Sequence, residues 1–356
     1  HNVTTSVVQW VRLLTHDPEV AGSNPACANK FHLINLWAAP VSLAIHAPGS
    51  DLALTVDTIR YLRDCSPGGD LVRKWTSFHV FFSKLLNEAY NCSLTVPYTV
   101  NSSTLYKAQR KLLYPVNVGR NVARDAALSH FVLASDIELY PSPGLAGRFL
   151  NMVARGPPAL RSKSPRVFPI TIFEVDSQQQ VPQNKTHLVA MLKKGTAIPF
   201  HKKVCAGCHN VPRSKEWILA NETQYVFHTG KRVGPFIHWE PIFIGTHADP
   251  LYDERLSWEG KSDKMTQAYA MCVLDYDFMI LNNAFLVHRP GIKTLTKDVK
   301  RAQLAGKTNQ LIRRIIFPEL KVFRVEFIIM IKYFFRFKHS VILPLPDCID
   351  QSEFYL

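Results

Sequence analysis

At 356 residues, 47% hydrophobic and 20% charged, the chain has the length and composition of one large α/β domain or two smaller ones with a substantial core. Seven cysteines are too few for a disulfide scaffold, which excludes that class of small secreted protein. The net charge of +14 asks for an anionic partner, but the Lys and Arg residues are spread along the chain and form no nucleic-acid module, so a charged small substrate fits better than nucleic acid.

Residues 1–38 have scattered apolar residues without a sustained period and read as an extension. Order is expected to begin at Val41–His46, an apolar run closed by Ala47-Pro48-Gly49, which predicts a buried strand and a turn. Asp51 is placed to cap a helix carrying Leu52, Val56, Ile59 and Leu62 at helical spacing. Phe78–Phe82 predicts a second strand and Leu112–Val116 a third. Asn121–Leu128 reads as an amphipathic helix, and Phe131–Ser135 as a buried strand that ends in Asp136-Ile137-Glu138. Val167–Phe173, Phe278–Leu281 and Phe285–His288 predict further strands, with a helix over 263–273. The alternation predicts an α/β fold with a mostly parallel twisted sheet flanked by helices. Val322–Phe337 is apolar but carries Arg324, Glu326, Lys332 and Arg336, which makes it a poor membrane span.

Ligands of open α/β sheets bind beyond the carboxyl ends of strands, where Asp136 and Glu138 are expected. Residues two apart in an extended segment face the same way, and two adjacent carboxylates need a cation between them. Hard divalent ions take such oxygens together with phosphate oxygens. The bland alternative is a strand end turning into solvent. His288 ends an apolar strand before Arg289-Pro290-Gly291 and is either a core histidine or a neutral metal ligand. Glu240, between Trp239 and Pro241, is an acid in an apolar frame, where desolvation raises a carboxyl toward general-base range. Asp253 is a second candidate base, and Asp263 reads as a helix N-cap. Cys205-x-x-Cys208-His209 matches c-type haem attachment, half a zinc site or a local disulfide, and these stay open. Sequons at Asn2, Asn91, Asn101, Asn184 and Asn221 favour a secretory route. The chain starts with His1, so its natural start, and any anchor, is expected to lie elsewhere.

The ordered series Asn121-Val-Ala-Arg124, Ser135-Asp-Ile-Glu-Leu-Tyr-Pro-Ser142, Trp239-Glu-Pro241, Tyr252-Asp-Glu-Arg255 and Phe285-Leu-Val-His288 resembles the β-1,4-glucuronyltransferases of the dystroglycan pathway, which include the glucuronyltransferase half of the LARGE enzymes. The resemblance runs from about Pro40 to Lys321 and implies a GT-A-type glycosyltransferase domain over 39–323, with a nucleotide-sugar half at 39–145 and an acceptor half at 146–323. The ends, 1–38 and 324–356, do not resemble the family and read as gene-model extensions. What the resemblance implies is inverting transfer of glucuronic acid from UDP-glucuronic acid to a xylose-terminated O-mannosyl glycan. It also implies dependence on Mn²⁺, a Golgi lumenal domain on an N-terminal membrane anchor absent from this chain, and room for a homodimer. Carried over, Asp136, Glu138 and His288 would hold the metal. Asn121, Arg124 and Ser135 would lie at the nucleotide, and Glu240 and Asp253 would do base or acceptor work. The family's Cys-x-x-Cys loop matches Cys205 and Cys208, which argues against haem. Glu138 departs from the usual aspartate by one methylene. The donor carboxylate should meet a cation, for which Arg255, Lys261, Lys264 and Lys293 are unranked candidates. The competing readings are transfer of N-acetylglucosamine or another UDP-sugar to a lactosamine-type acceptor, an inactive lumenal binding protein, and a haem or redox protein.

Overall fold

The computed structural model describes the backbone of residues 5–11 and then residues 34–66, 68–82, 102–205, 208–222, 226–289, 291–295 and 297–322. Strands β1 (Thr5–Val11), β2 (Val41–His46), β3 (Thr76–Phe81) and β4 (Phe131–Asp136) form the parallel ribbon β3-β2-β1-β4. All six residues of β2 are buried, as a continuous apolar strand in a covered parallel sheet requires. Strand β1 lies ahead of the Val41 run where order was expected to begin, and it pairs with β2 and β4 in parallel. Its residues alternate too weakly for the strand to be read from period alone.

Helix α1 (Asp51–Arg60) follows β2 and helix α2 (Gly69–Trp75) precedes β3. Asp51 does not cap α1. The cap position is Ser50, and the Asp51 carboxylate accepts from the backbone nitrogens of Tyr106 and Lys107 at 2.8 and 3.2 Å, at the start of helix α3 (Tyr106–Gln109). The strand expected over Leu112–Val116 does not form. Pro115 offers no N–H to a ladder, Leu112 and Leu113 are exposed, and Val116 begins helix α4 (Val116–Asp125).

After β4 come β5 (Leu139–Pro141), helix α5 (Leu145–Arg155), β6 (Arg166–Val175), helix α6 (Lys185–Lys194), β7 (Ala197–Pro199), helix α7 (Ser214–Leu219), β8 (Val226–Gly230) and β9 (Ile242–Thr246). Helix α8 (Met265–Val273), β10 (Asp277–Leu281), β11 (Phe285–His288) and helix α9 (Val299–Leu311) complete the described elements. This half is mixed rather than parallel. β9 runs antiparallel to both β4 and β6 and so stitches the two halves together, while β6 is parallel to β10 and β11. The α/β class expected from the sequence is the one observed.

On α5, Leu145, Ala146, Phe149 and Met152 recur at helical spacing and are buried. Phe149 stands edge-on to Phe131 of β4 and Phe168 of β6, with ring centroids 5.0 Å away in each case. It thereby joins the two halves of the sheet through one core. Trp217 of α7 is fully buried and donates from Nε1 to the Leu281 carbonyl at 2.8 Å. Among the described residues no helix is long and apolar enough to cross a membrane; the apolar run after Val322 lies outside them, as does the expected tail. Replacing Phe149 by Ala is expected to lower stability by about 3–5 kcal/mol, read from the denaturant midpoint at unchanged slope.

Candidate active site

Three strand ends meet at one edge of the sheet. β4 ends at Asp136, the chain turns through Glu138 into β5, and β5 pairs antiparallel with β11 so that Leu139 stands opposite His288. In the parallel β6–β11 pair, His288 stands beside Glu174. The Arg289 backbone nitrogen donates to the Glu138 carbonyl at 2.9 Å, which closes the corner. The positions of Asp136, Glu138 and His288 are therefore set by ladder register.

A buried charge network surrounds Asp136. Arg120 of α4, 1% exposed, donates from one terminal nitrogen to Asp136 at 3.1 Å and from the other to Asp263 at 2.5 Å. Lys264 lies 3.6 Å from Asp136 and 3.9 Å from Asp263. Burial alone would raise the Asp136 carboxyl, but Lys264 and Arg120 outweigh it and hold the group at about 2, so it is ionised. Glu138 has no such cover. Burial, and then the negative charge of Asp136, push its carboxyl up. Burial likewise holds the His288 ring neutral, with its pKa at about 3, and Lys293 and His201 add to the effect. Its Nδ1 is buried without a hydrogen-bond partner, although the nearby Gly291 backbone favours the charged ring slightly.

Glu240 joins the same network. Burial raises its carboxyl to about 7 against the pull of Lys264, with Asp263 pushing in the same direction as burial. Asp253 differs, because its carboxylate is taken by Arg255 at 2.6 Å, and Arg255 also reaches Glu319 at 2.9 Å. Of the two acids proposed as base, Glu240 is buried with a raised carboxyl and Asp253 is ion-paired with Arg255.

The residues expected at the nucleotide divide. Ser135 is buried at the end of β4, with its hydroxyl 3.4 Å from the Asp136 carbonyl. Asn121 spends its amide on the loop after β9: Nδ2 donates to the Tyr252 carbonyl at 2.8 Å, and Oδ1 accepts from the Tyr252 nitrogen at 3.0 Å. Arg124 donates to the carbonyls of Thr246, Asp249 and Pro250. Both thus act as braces for that loop. Arg120 and the pairing role of Asp263 have no local sequence signature, since their contact spans 143 positions. The available signal is that Asn117, Arg120 and Arg124 sit on the buried stripe of α4, where apolar residues are normal. His46 is buried at the carboxyl end of β2, with its Nδ1 lacking a hydrogen-bond partner among the described residues.

Cys205 and Cys208 are joined in a disulfide with their Cα atoms 5.5 Å apart, which settles the open choice at that motif against a thioether-bound haem and against a zinc thiolate pair. Asp136, Glu138 and His288 supply two carboxylates and a neutral imidazole, a donor set suited to a hard or borderline divalent ion. The repulsion felt by Glu138 and the unpartnered His288 nitrogen both suit a cation there. Among the described residues, however, no three such side chains are already closed to coordinating distance.

Residues 28–323 match the family described as "Glycosyl-transferase for dystroglycan". The chain belongs to this family and is a glycosyltransferase. Beta-1,4-glucuronyltransferase 1 of Danio rerio is 26% identical over 307 residues, covering 81% of this chain and 69% of that protein. The Homo sapiens protein of the same name is 27% identical over 217 residues, 61% of this chain and 50% of that one. The human xylosyl- and glucuronyltransferase LARGE1 is 29% identical over 178 residues, 50% of this chain and 22% of its own length. The chain thus spans about half the length of the mammalian glucuronyltransferases it matches. Among solved structures, S. aureus TarS 1–349 in complex with UDP overlays with a TM-score of 0.36 and 12% identity, over 87% of this chain and 72% of that one; an overlay this loose carries nothing about the site.

The buried network is a structural element. Arg120→Met leaves Asp136 and Asp263 without their shared guanidinium. It is expected to cost about 3–5 kcal/mol in chemical denaturation, more than removal of the exposed Arg255.

Proposed function

We propose that the chain is an inverting β-1,4-glucuronyltransferase of GT-A type. On this reading it moves glucuronic acid from UDP-glucuronic acid to a xylose-terminated O-mannosyl glycan. The observation that carries the reading is the pairing of an ionised strand-end Asp136 with Glu240, a carboxyl raised to about 7, through one buried network of Arg120, Asp263 and Lys264. The names of the relatives support the donor and the sugar transferred, and the parallel half followed by a mixed half supports the GT-A assignment.

Asp136, Glu138 and His288 would hold Mn²⁺, which when bound supplies a Lewis acid that neutralises charge on the departing diphosphate. The chain's own residues do the rest. Glu240, ionised, accepts the proton of the acceptor hydroxyl as that oxygen bonds to the anomeric carbon. The bond from that carbon to the diphosphate oxygen breaks on the opposite face, and UDP leaves with its electron pair. The transition state is oxocarbenium-like, as in glycoside hydrolysis. Arg120 and Lys264 keep Asp136 ionised throughout. A Golgi lumenal location fits the Cys205–Cys208 disulfide, since such bonds persist in oxidising compartments. Asn184 and Asn221 of two sequons are exposed, which fits as well.

A panel of UDP-sugars assayed on xylosides with and without Mn²⁺ tests the reading, with turnover expected for UDP-glucuronic acid in its presence; preference for UDP-N-acetylglucosamine on a lactosamine acceptor would replace it. Asp136→Asn should abolish turnover in a folded protein, and retained turnover would remove the site assignment. A base works in its ionised form, so wild-type kcat should fall as pH drops below about 7. Glu240→Gln should lose that limb and about 10²–10⁴-fold in kcat.

A further inference from the structure

The transfer chemistry leaves unused a group of side chains beside His288. Glu174, fully buried on β6, stands next to His288 in the ladder. Its Oε1 accepts from the His201 backbone nitrogen and its Oε2 from the Lys293 backbone nitrogen, both at 3.1 Å. One carboxylate therefore clamps the loop after β7 and the loop after β11 to the same strand end. A buried carboxylate needs such donors, and both of its oxygens find them in backbone.

The first of these loops is itself closed. The Cys205–Cys208 bond lies between His201 and His209, whose rings meet edge-on with centroids 5.0 Å apart. Phe200 stacks on His201 at 3.8 Å and meets the His288 ring at 5.5 Å. His201 has φ +57°, a left-handed conformation that a side-chain-bearing residue keeps where its surroundings dictate it, commonly at a ligand site. His209 Nδ1 is buried with no hydrogen-bond partner among the described residues. Such a group in a folded protein calls for an explanation, and a ligand atom supplies one.

The cations expected to meet a donor carboxylate can now be ranked. Arg255 is taken by Asp253 and Glu319, and Lys264 by Asp136 and Asp263. Lys261 is exposed and without an ion pair among the described residues, but its backbone bonds to Trp258 and not to the β6–β11 strand end. Lys293 is exposed, has no ion-pair partner among the described residues, and follows β11 with its backbone nitrogen held by Glu174, the residue that stands beside His288. The Lys293 backbone is held by Glu174 next to the loop that carries His201, so the flexible stem starts from the rim of the strand-end site.

We propose that Lys293 and the His201–His209 pair form an anion subsite that takes the carboxylate of a uronosyl donor and so sets donor specificity. The assignment rests on the nucleotide-sugar reading of the Asp136 site. Lys293 supplies the charge and the imidazoles supply N–H donors. The diphosphate is the other anion that could reach this corner, and the test separates the two.

Binding of UDP, UDP-glucose and UDP-glucuronic acid is measured by calorimetry with Mn²⁺ on wild type, Lys293→Gln and Lys293→Arg. Wild type should favour UDP-glucuronic acid over UDP-glucose. Lys293→Gln should lower that ratio at least about tenfold, the scale of a lost charge-assisted hydrogen bond, and Lys293→Arg should restore most of it. An equal loss for all three ligands would assign Lys293 to the diphosphate and overturn the subsite, as would an unchanged ratio. Wild type that binds UDP without preferring the uronate overturns the subsite alone. Wild type that binds none of the three overturns the nucleotide-sugar reading and the subsite together.

Discussion

A guanidinium sealed from water has to be balanced on the spot, and Arg120 is balanced by two carboxylates that are far apart in the sequence. Asp136 comes from the end of β4 and Asp263 from just before α8, so the ion cluster exists only when the parallel half and the mixed half are docked together. Lys264 adds a second cation to the same pair. Burial raises the Glu240 carboxyl to about 7, and Lys264 and Arg120, which also face the two aspartates, only partly offset it. The same arrangement that holds the domain together leaves one acid with its carboxyl raised well above the usual carboxylate range.

Helix α4 makes this arrangement rigid. Asn117 donates to the Asp253 and Asp263 carbonyls at 2.7 and 2.8 Å, Asn121 grips Tyr252, and Arg124 holds three carbonyls between Thr246 and Pro250. The Tyr252 ring lies beneath both guanidiniums, 5.1 Å from Arg120 and 5.9 Å from Arg124. A single helix face thus shapes the loop that carries Asp253 and leads to Asp263.

Much of this was legible in the sequence where the signal is local. β2, β4 and β11 are short apolar runs ended by His46, Asp136 and His288, and strands with those ends are what the chain forms. The carboxylate pair at the end of β4 was visible for the same reason. The misses share a cause. Leu112-Leu113 before Pro115 has strand composition, but the proline removes the ladder donor and the leucines face solvent. Asp51 and Asp263 look like helix caps by composition, yet each carboxylate finds a partner more than 50 positions away. The hydrogen bonds of Asn121 and Arg124 run to a loop that sequence could not put beside them, a neighbour the resemblance did not name. Local composition states which atoms want partners, and tertiary contact decides which partners they get.

The pairing of β11 with β5 and β6 acts as a measuring device. Side chains alternate across a strand, so a slip of one residue would set Val287 rather than His288 beside Glu174 and turn the imidazole to the opposite face. The spacing of Glu138, His288 and Glu174 is therefore ruled by backbone hydrogen bonds and not by any attraction among the three. A site drawn on such a ruler keeps its scale when the loops above it change length or composition, because nothing in those loops sets the distance between its marks.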